Sequence, residues 1–394
     1  MLASSHVSSA RRRPDFAGLS IATVSGISIA ITAVFLLSMP LAHNMAGSRD
    51  FVAYWATGQQ LVHHANPYDQ DAMAHIEHSA GLVEDGILLM RNPPWALPLA
   101  LPLGFMGLRT AAILWCLALL ACMVFSVRSI RFMNGNPGNP FHWLGYSFTP
   151  ALICLIMGQT SLFALLGLVL FLRLHRARPF AAGLSLWLCA LKPHLFIPFA
   201  VVLVAWILVT RSYLVLAGAG AAIAATTASA YFIDPTAWIH YFEMMRAPAV
   251  EQEFIPCLSV ALRLWVWPKA TWIQYLPAAC ASVWALKVFW IRRRAWNWIR
   301  DGNLLMLVSL VAAPYCWIYD QGLALTGLLE GAYSTQSRRL VAVLAFISLA
   351  IGIELGAFRI ASAAYLWTAP AWLVWYLAAR FKPATKPIAE PSVH

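Results

Sequence analysis

Long apolar runs separated by short polar or proline-containing breaks dominate this chain. Apolar stretches at 19–41, 110–128, 141–157, 160–173, 179–191, 194–210, 212–233, 271–291, 303–318, 321–337, 340–357 and 361–379 each predict a helix. Helices that are apolar all round have no face for water, and about 20 residues are enough to cross the hydrocarbon core of a bilayer. The pattern therefore predicts an all-α polytopic integral membrane protein with about 12 transmembrane helices. Two shorter apolar pieces, 93–106 and 256–268, are interrupted or bounded by proline. They predict re-entrant or interfacial helices, whose backbone must be satisfied by protein or by a watery cavity. The longest polar stretch is 42–91, and a second follows at 234–270.

Composition agrees with this picture. Of 394 residues, 61% are apolar and 11% charged, where soluble domains carry about 25% charged side chains. An ordinary soluble enzyme is excluded. The formal net charge of +11 records where the loops of such a chain lie rather than a nucleic-acid partner. Residues 1–18, with Arg11, Arg12 and Arg13, form the expected cytoplasmic tail. The run 19–41 is longer than a secretory h-region and has no clear small-x-small site after it, so it is expected to stay as the first span. Alternation then places Arg128, Arg131, Arg173, Arg176, Arg178, Arg211, Arg292, Arg293, Arg294, Arg300, Arg338 and Arg339 on the inner side. The tail 380–394, with Arg380, Lys382 and Lys386, falls there too. Every inner loop obeys the positive-inside rule, and the outer side is slightly acidic. The expectation is a multi-pass protein of the plasma (inner) membrane, with 19–379 as one transmembrane domain and loops 42–91 and 234–270 outside. No pair of matching halves is visible, which counts mildly against a secondary transporter.

Several chemistries find no support. The seven cysteines are odd in number and lie mostly inside apolar runs without a Cys-x-x-Cys pair, so they read as small buried hydrophobes rather than disulfides or a zinc site. There is no glycine-rich phosphate loop, Gly-x-Ser-x-Gly elbow or His-Glu-x-x-His helix. His63, His64, His75 and His78 are close in sequence but lack an evident supporting shell, and they read as solvated loop residues. Neither a metal nor a cofactor is expected.

The polar residues that are hardest to explain all fall at outer loops: Asp50, Gln159, the Lys192-Pro193-His194 turn, and Tyr319-Asp320. Ionisable groups at the ends of spans are costly to desolvate and mark functional pathways. Each also has a structural reading. Asp50 serves equally as the N-cap of a helix starting at Phe51, and Lys192 as a side chain snorkelling to the headgroups. His194 fits a bond to a backbone carbonyl, Gln159 a bond between helices, and Asp320 a packing pair with a basic residue. Tyr54, Trp55 and Tyr68 in the first outer loop offer ring faces to a sugar or an isoprenoid. Glu330 and Glu354 read as structural partners within spans. A transporter or lipid flippase without transferase activity is the competing class, and it predicts essential polar groups near the bilayer midplane. The weight of polar residues in 42–91 favours an enzyme with an extracytoplasmic site.

These residues stand in motifs: Arg49-Asp50-Phe51 with Tyr54; Asn66-Pro67-Tyr68-Asp69; Asn92-Pro93-Pro94-Trp95; Gly158-Gln159-Thr160-Ser161; Leu191-Lys192-Pro193-His194; and Ala313-Pro314-Tyr315 with Tyr319-Asp320. In this order they resemble glycosyltransferase family 87, membrane mannosyltransferase-like enzymes that use polyprenyl-phosphate sugars and belong to the GT-C class. The resemblance runs from about Asp50 to Asp320. It departs from the family in a histidine- and acid-rich insert, Asp71 to Asp85, and in Thr160-Ser161 where Asn often follows the Gly-Gln pair. The resemblance implies a GT-C fold and an inverting transfer of a hexose, with mannose expected. The donor would be a polyprenyl-phosphate sugar and the acceptor a lipid or a glycan. It also implies Asp50 as general base. Lys192, with His194 and Arg49 behind it, would hold the donor phosphate. Tyr54, Tyr68, Gln159 and Asp320 would bind substrate, with Asp320 and Gln159 also suited to orienting the lysine.

Overall fold

The computed structural model describes residues 23, 25–34, 49–82, 88–246, 254–335, 337–358 and 360–381. The expected N-terminal tail, most of the expected first span and nearly all of the C-terminal tail lie outside the described residues. The first half of the chain forms α1 (Ser25–Val34), α2 (Arg49–Val62), α3 (Gln70–Ser79), α4 (Leu97–Gly104), α5 (Leu108–Met133), α6 (His142–Tyr146), α7 (Thr149–Met157), α8 (Ser161–Leu174) and α9 (Pro179–Cys189). The second half forms α10 (Ile197–Thr210), α11 (Tyr213–Ile233), α12 (Ala237–Arg246), α13 (Leu258–Val266), α14 (Leu276–Arg292), α15 (Asn303–Ala312), α16 (Leu325–Ser334), α17 (Arg338–Ala357) and α18 (Thr368–Phe381). No strand occurs among the described residues.

Among the described residues, four helical segments are long and apolar enough to cross a membrane: Leu108–Met133, Pro193–Thr210, Tyr213–Ile233 and Arg338–Ala357. Other expected spans are divided or shortened, and proline is a recurrent cause. The run expected at 141–157 breaks at Ser147 into α6 and α7, just ahead of Pro150. The run expected at 303–318 stops at Ala312. Ala313 swings to ψ 140° because a residue preceding proline is crowded out of the helical region.

The apolar helices turn much of their surface outward. In α11 the buried residues are Val215, Gly218 and Ala230, while Tyr213, Leu214, Leu216 and Phe232 are exposed; Leu117 and Phe125 of α5 are exposed too. Large outward apolar surface marks a protein whose surroundings are lipid, so the chain has the character of a membrane protein.

Inside, small residues let helices approach closely. α2 meets α4 at Gly58 and Gly104, where a Cβ on either residue would strike the other's backbone. α9 packs against α8 and α11. Thr149 at the start of α7 donates its backbone N–H to Ser348 Oγ on α17, at 2.9 Å.

These contacts give the bundle two unlike ends. At one end lie the C-termini of α7, α9 and α15, the start of α8, and two 3₁₀ turns, Pro193–Phe196 and Ile318–Ala324. The opposite end is rich in arginine. Following α8, α10 and α16 away from the first end leads to Arg173, Arg211 and Arg338, and α15 begins just after Arg300.

Candidate active site

The site is assembled at the first end, and each residue is held by a local device. Gly158 closes α7 in the left-handed region at φ 73°, which costs glycine little. A Cβ here would also sit 2.5 Å from Phe51 Cβ. The turn is thus pressed against the first turn of α2, and Trp115 Nε1 fixes it by donating to Gly158 O at 2.7 Å. The next residue, Gln159, is thereby carried to Tyr54, whose hydroxyl donates to Gln159 Oε1 at 3.2 Å.

Lys192 is delivered by the end of α9. The last carbonyls of a helix have no partner within it, and here the Asn92-Pro93-Pro94-Trp95 segment supplies donors. Asn92 Nδ2 donates to Leu191 O at 2.7 Å and Trp95 Nε1 to Ala190 O at 2.9 Å. The ammonium that emerges donates to Gln159 Oε1 at 2.8 Å and to Asp320 Oδ1 at 2.6 Å. It also stands 4.9 Å from the centroid of the Tyr319 ring.

Asp320 sits in the turn Ile318–Ala324. Gln321 pins that turn to α18: its Nε2 donates to Thr368 Oγ1 at 2.8 Å, and its Oε1 accepts from Trp372 Nε1 at 2.8 Å. Asp320 Oδ2 accepts the Trp317 N–H at 3.0 Å, and Oδ1 also accepts from Ser161 Oγ at 2.6 Å. Asp320 is 1% exposed and the Lys192 side chain 9%. A buried charge pair is tolerable only when its remaining donors and acceptors are met. Here both carboxylate oxygens and two of the three ammonium N–H groups are engaged.

Tyr54, Gln159, Lys192, Asp320 and Ser161 therefore form one continuous hydrogen-bonded chain. His194 lies beside it, stacked on Tyr315 with ring centroids 3.6 Å apart; its Nε2 is buried without a hydrogen-bond partner. Asp50 sits one turn before Tyr54. It lies inside α2, which replaces the alternative of Asp50 capping a helix from Phe51. Burial raises the Tyr54 phenol well above its ordinary value, and the charge of Asp50 adds to this, so Tyr54 stays protonated as a donor. The side chain of Arg49 is not among those described.

The tyrosine rings are arranged differently from the expectation of open platforms. Tyr54 packs on Trp115 with centroids 5.3 Å apart, and Tyr68 meets the edge of Tyr241 at 5.7 Å; both are buried. Apolar ring area is worth more inside than facing water; α2 places Tyr54 in the core, and the turn between α2 and α3 places Tyr68 there. Tyr68 stands one layer back, its hydroxyl 3.5 Å from Asn92 O. Burial raises its phenol as well. The other residues of its motif do structural work: Asn66 Oδ1 accepts the Tyr68 N–H, and Asp69 caps α3 through Ala72 N, both at 2.9 Å.

Glu330 lies midway along α16, bonded by the Tyr376 hydroxyl at 2.7 Å with Arg380 at 3.6 Å. Among the described residues, no group of three or more His, Cys, Asp or Glu side chains is placed to hold a metal ion.

Two residues that hold the site together, Ser161 and Asn92, were not among the candidates. Both stand inside the quoted motifs, and that position was the available signal.

Compared with known proteins, the chain matches the model of Glycosyltransferase family 87 over residues 91–318. No curated protein and no solved structure matches it. The matched range covers more than half of the chain and includes Asn92, Gln159, Ser161, Lys192, His194 and Tyr315. Asp50, Tyr54 and Tyr68 lie before it, and Asp320 lies two residues beyond.

Proposed function

Since the chain belongs to glycosyltransferase family 87 it is a glycosyltransferase, and we propose that it moves a hexose, mannose first among them, from a polyprenyl-phosphate sugar to a lipid or glycan acceptor. In this reading the fold is of the GT-C type with about twelve spans. The site faces the extracytoplasmic side of the inner membrane, where the positive-inside rule puts the end poor in arginine. The observation that carries the reading is the linked chain Tyr54–Gln159–Lys192–Asp320, which joins four separate motifs one helical turn from Asp50.

The chemistry follows from the donor. Its anomeric carbon already bears a phosphate leaving group, so the protein has to orient the donor and deprotonate the acceptor hydroxyl. The acceptor oxygen attacks C1 from the face opposite the phosphate, which inverts the configuration. The acceptor proton passes to the Asp50 carboxylate, the C1–O bond to phosphate breaks, and its electron pair leaves with the polyprenyl phosphate. The third N–H of Lys192 meets an oxygen of that phosphate as charge develops on it. Asp320 and Gln159 hold the ammonium in place, and His194 offers its free Nε2 beside it. Arg49 stands next to Asp50 as a second cation for the phosphate. Tyr54 acts on substrate through the hydroxyl it shares with Gln159, and Tyr68, one layer back, supports the substrate site through Asn92.

The test is direct. Purified protein incubated with labelled polyprenyl-phosphate mannose and a membrane lipid extract is expected to transfer label to an acceptor. Asp50→Asn is expected to lower the rate by ~10²–10⁴-fold, the usual contribution of a general base, while leaving donor binding intact. Transfer by Asp50→Asn at the wild-type rate would remove Asp50 from that role. A wild-type protein that moves lipid-linked sugar across a bilayer without transferring it would favour the flippase reading.

A further inference from the structure

A second polar constellation lies at the opposite end of the bundle. Between α14 and α15 runs a cleft lined on its apolar side by Trp284, Val288 and Leu304, and on its polar side by Arg292, Trp296 and Asp301. It opens where α15 begins, and the ten residues of α15 put about 15 Å between it and the candidate active site at 1.5 Å per residue.

Three features of this cleft point to a ligand. First, Trp296 is 9% exposed and its Nε1–H is buried without a hydrogen-bond partner. A buried donor left unmade is costly, and this one belongs to a residue that lines the cleft. Second, positive charge is in excess. Arg292 Nη2 and Arg300 Nε both reach Asp301 Oδ1, at 3.1 and 3.3 Å, which occupies one of the five N–H donors of each guanidinium. Arg293 lies 4.5 Å over the Trp290 ring, and Arg294 is exposed. Two arginines thus share one aspartate, and two more follow Arg292 in the chain. Third, the outer face of α14 exposes Val283, Trp290 and Ile291, with Lys287 the one charged residue among them before the arginines. Indole rings beside cations at the end of an apolar helix are the signature of the headgroup layer.

We propose that this cleft binds one anionic phospholipid. Its phosphate accepts hydrogen bonds from Trp296 Nε1 and Arg292, Arg293 and Arg294 supply the surrounding field, and an acyl chain lies along Trp284, Val288 and Leu304. The inference needs only the membrane character of the chain and does not depend on the proposed donor.

Native mass spectrometry of the full chain, released from detergent with equal amounts of phosphatidylglycerol and phosphatidylcholine, reads the outcome. One phosphatidylglycerol per chain is expected to survive, with phosphatidylcholine retained several-fold less. Trp296→Phe keeps the ring and removes the donor, and is expected to weaken retention about tenfold, the size of a hydrogen bond to a charged group. A second variant, Arg293→Gln with Arg294→Gln, spares both arginines that hold Asp301 and is expected to reduce phosphatidylglycerol retention alone. Equal retention of the two lipids would overturn the proposal. So would wild-type retention in both variants, or displacement of the lipid by millimolar inorganic phosphate. If Trp296→Phe failed to fold, the arginine variant would decide by itself.

Discussion

Helix α15 has a buried aspartate at each end, and the two are solved in opposite ways. Past its C-terminus, Asp320 is 1% exposed and faces a lysine whose side chain is 9% exposed. Before its N-terminus, Asp301 is 5% exposed, but its arginines are 40% and 42% exposed. The first pair is closed off from solvent and supported by Ser161, Gln159 and a backbone N–H. The second shares its cations with the surroundings. Flexible, hydrated arginines serve an end that meets headgroups and ions. A lysine fixed from three directions serves an end where charge must stand ready at one point.

The comparison can be broken experimentally, and the largest expected effect is at the closed pair. Lys192→Met leaves Asp320 as an uncompensated buried charge and is expected to cost ~3–5 kcal/mol of stability, measured as a fall in the thermal unfolding midpoint, together with loss of transfer. Next comes Ser161→Ala, which removes one donor to Asp320 Oδ1 and is expected to cost about 1–3 kcal/mol; a lowered midpoint with reduced but measurable transfer checks it. Smallest is Asp301→Asn. Its partners are half exposed, so the loss should stay near the ~0–1 kcal/mol of exposed ion pairs. That loss should shrink further in high salt, where exposed charges are screened. The penalty at Lys192 should be insensitive to salt, and equal salt sensitivity at both ends would erase the distinction.

Much of the site could be read from the chain because short motifs carried it. Asp50, Gln159, Lys192 and Asp320 each stood out as a costly polar group at the end of an apolar run. Their pairing could not be read, since Lys192 and Asp320 are 128 residues apart and only the packed turns bring them together. The same holds for the support. Asn92 looks like any loop asparagine until its amide is seen on the Leu191 carbonyl. Hydropathy signalled the outward apolar surface of α5 and α11 well. It overran the helix ends at Ser147 and Ala312, where backbone geometry near proline decides and average apolarity does not. The rings of Tyr54 and Tyr68 were placed outside by their polar loop, whereas the amphipathic faces of α2 and α3 turn that loop into part of the core.

The central claim is that the buried Lys192–Asp320 pair exists for chemistry rather than for the fold. Replacing both partners at once, Lys192→Met with Asp320→Leu, removes both charges together, and such swaps of a buried pair for apolar residues are commonly neutral or stabilising. Thermal stability and sugar transfer measured side by side on this double variant test the claim. The account predicts a midpoint above that of Lys192→Met alone, lowered from the wild type only by the Ser161 hydroxyl and the Trp317 N–H that lose their acceptor, with transfer abolished. A variant that remains stable and still transfers sugar at the wild-type rate would contradict it.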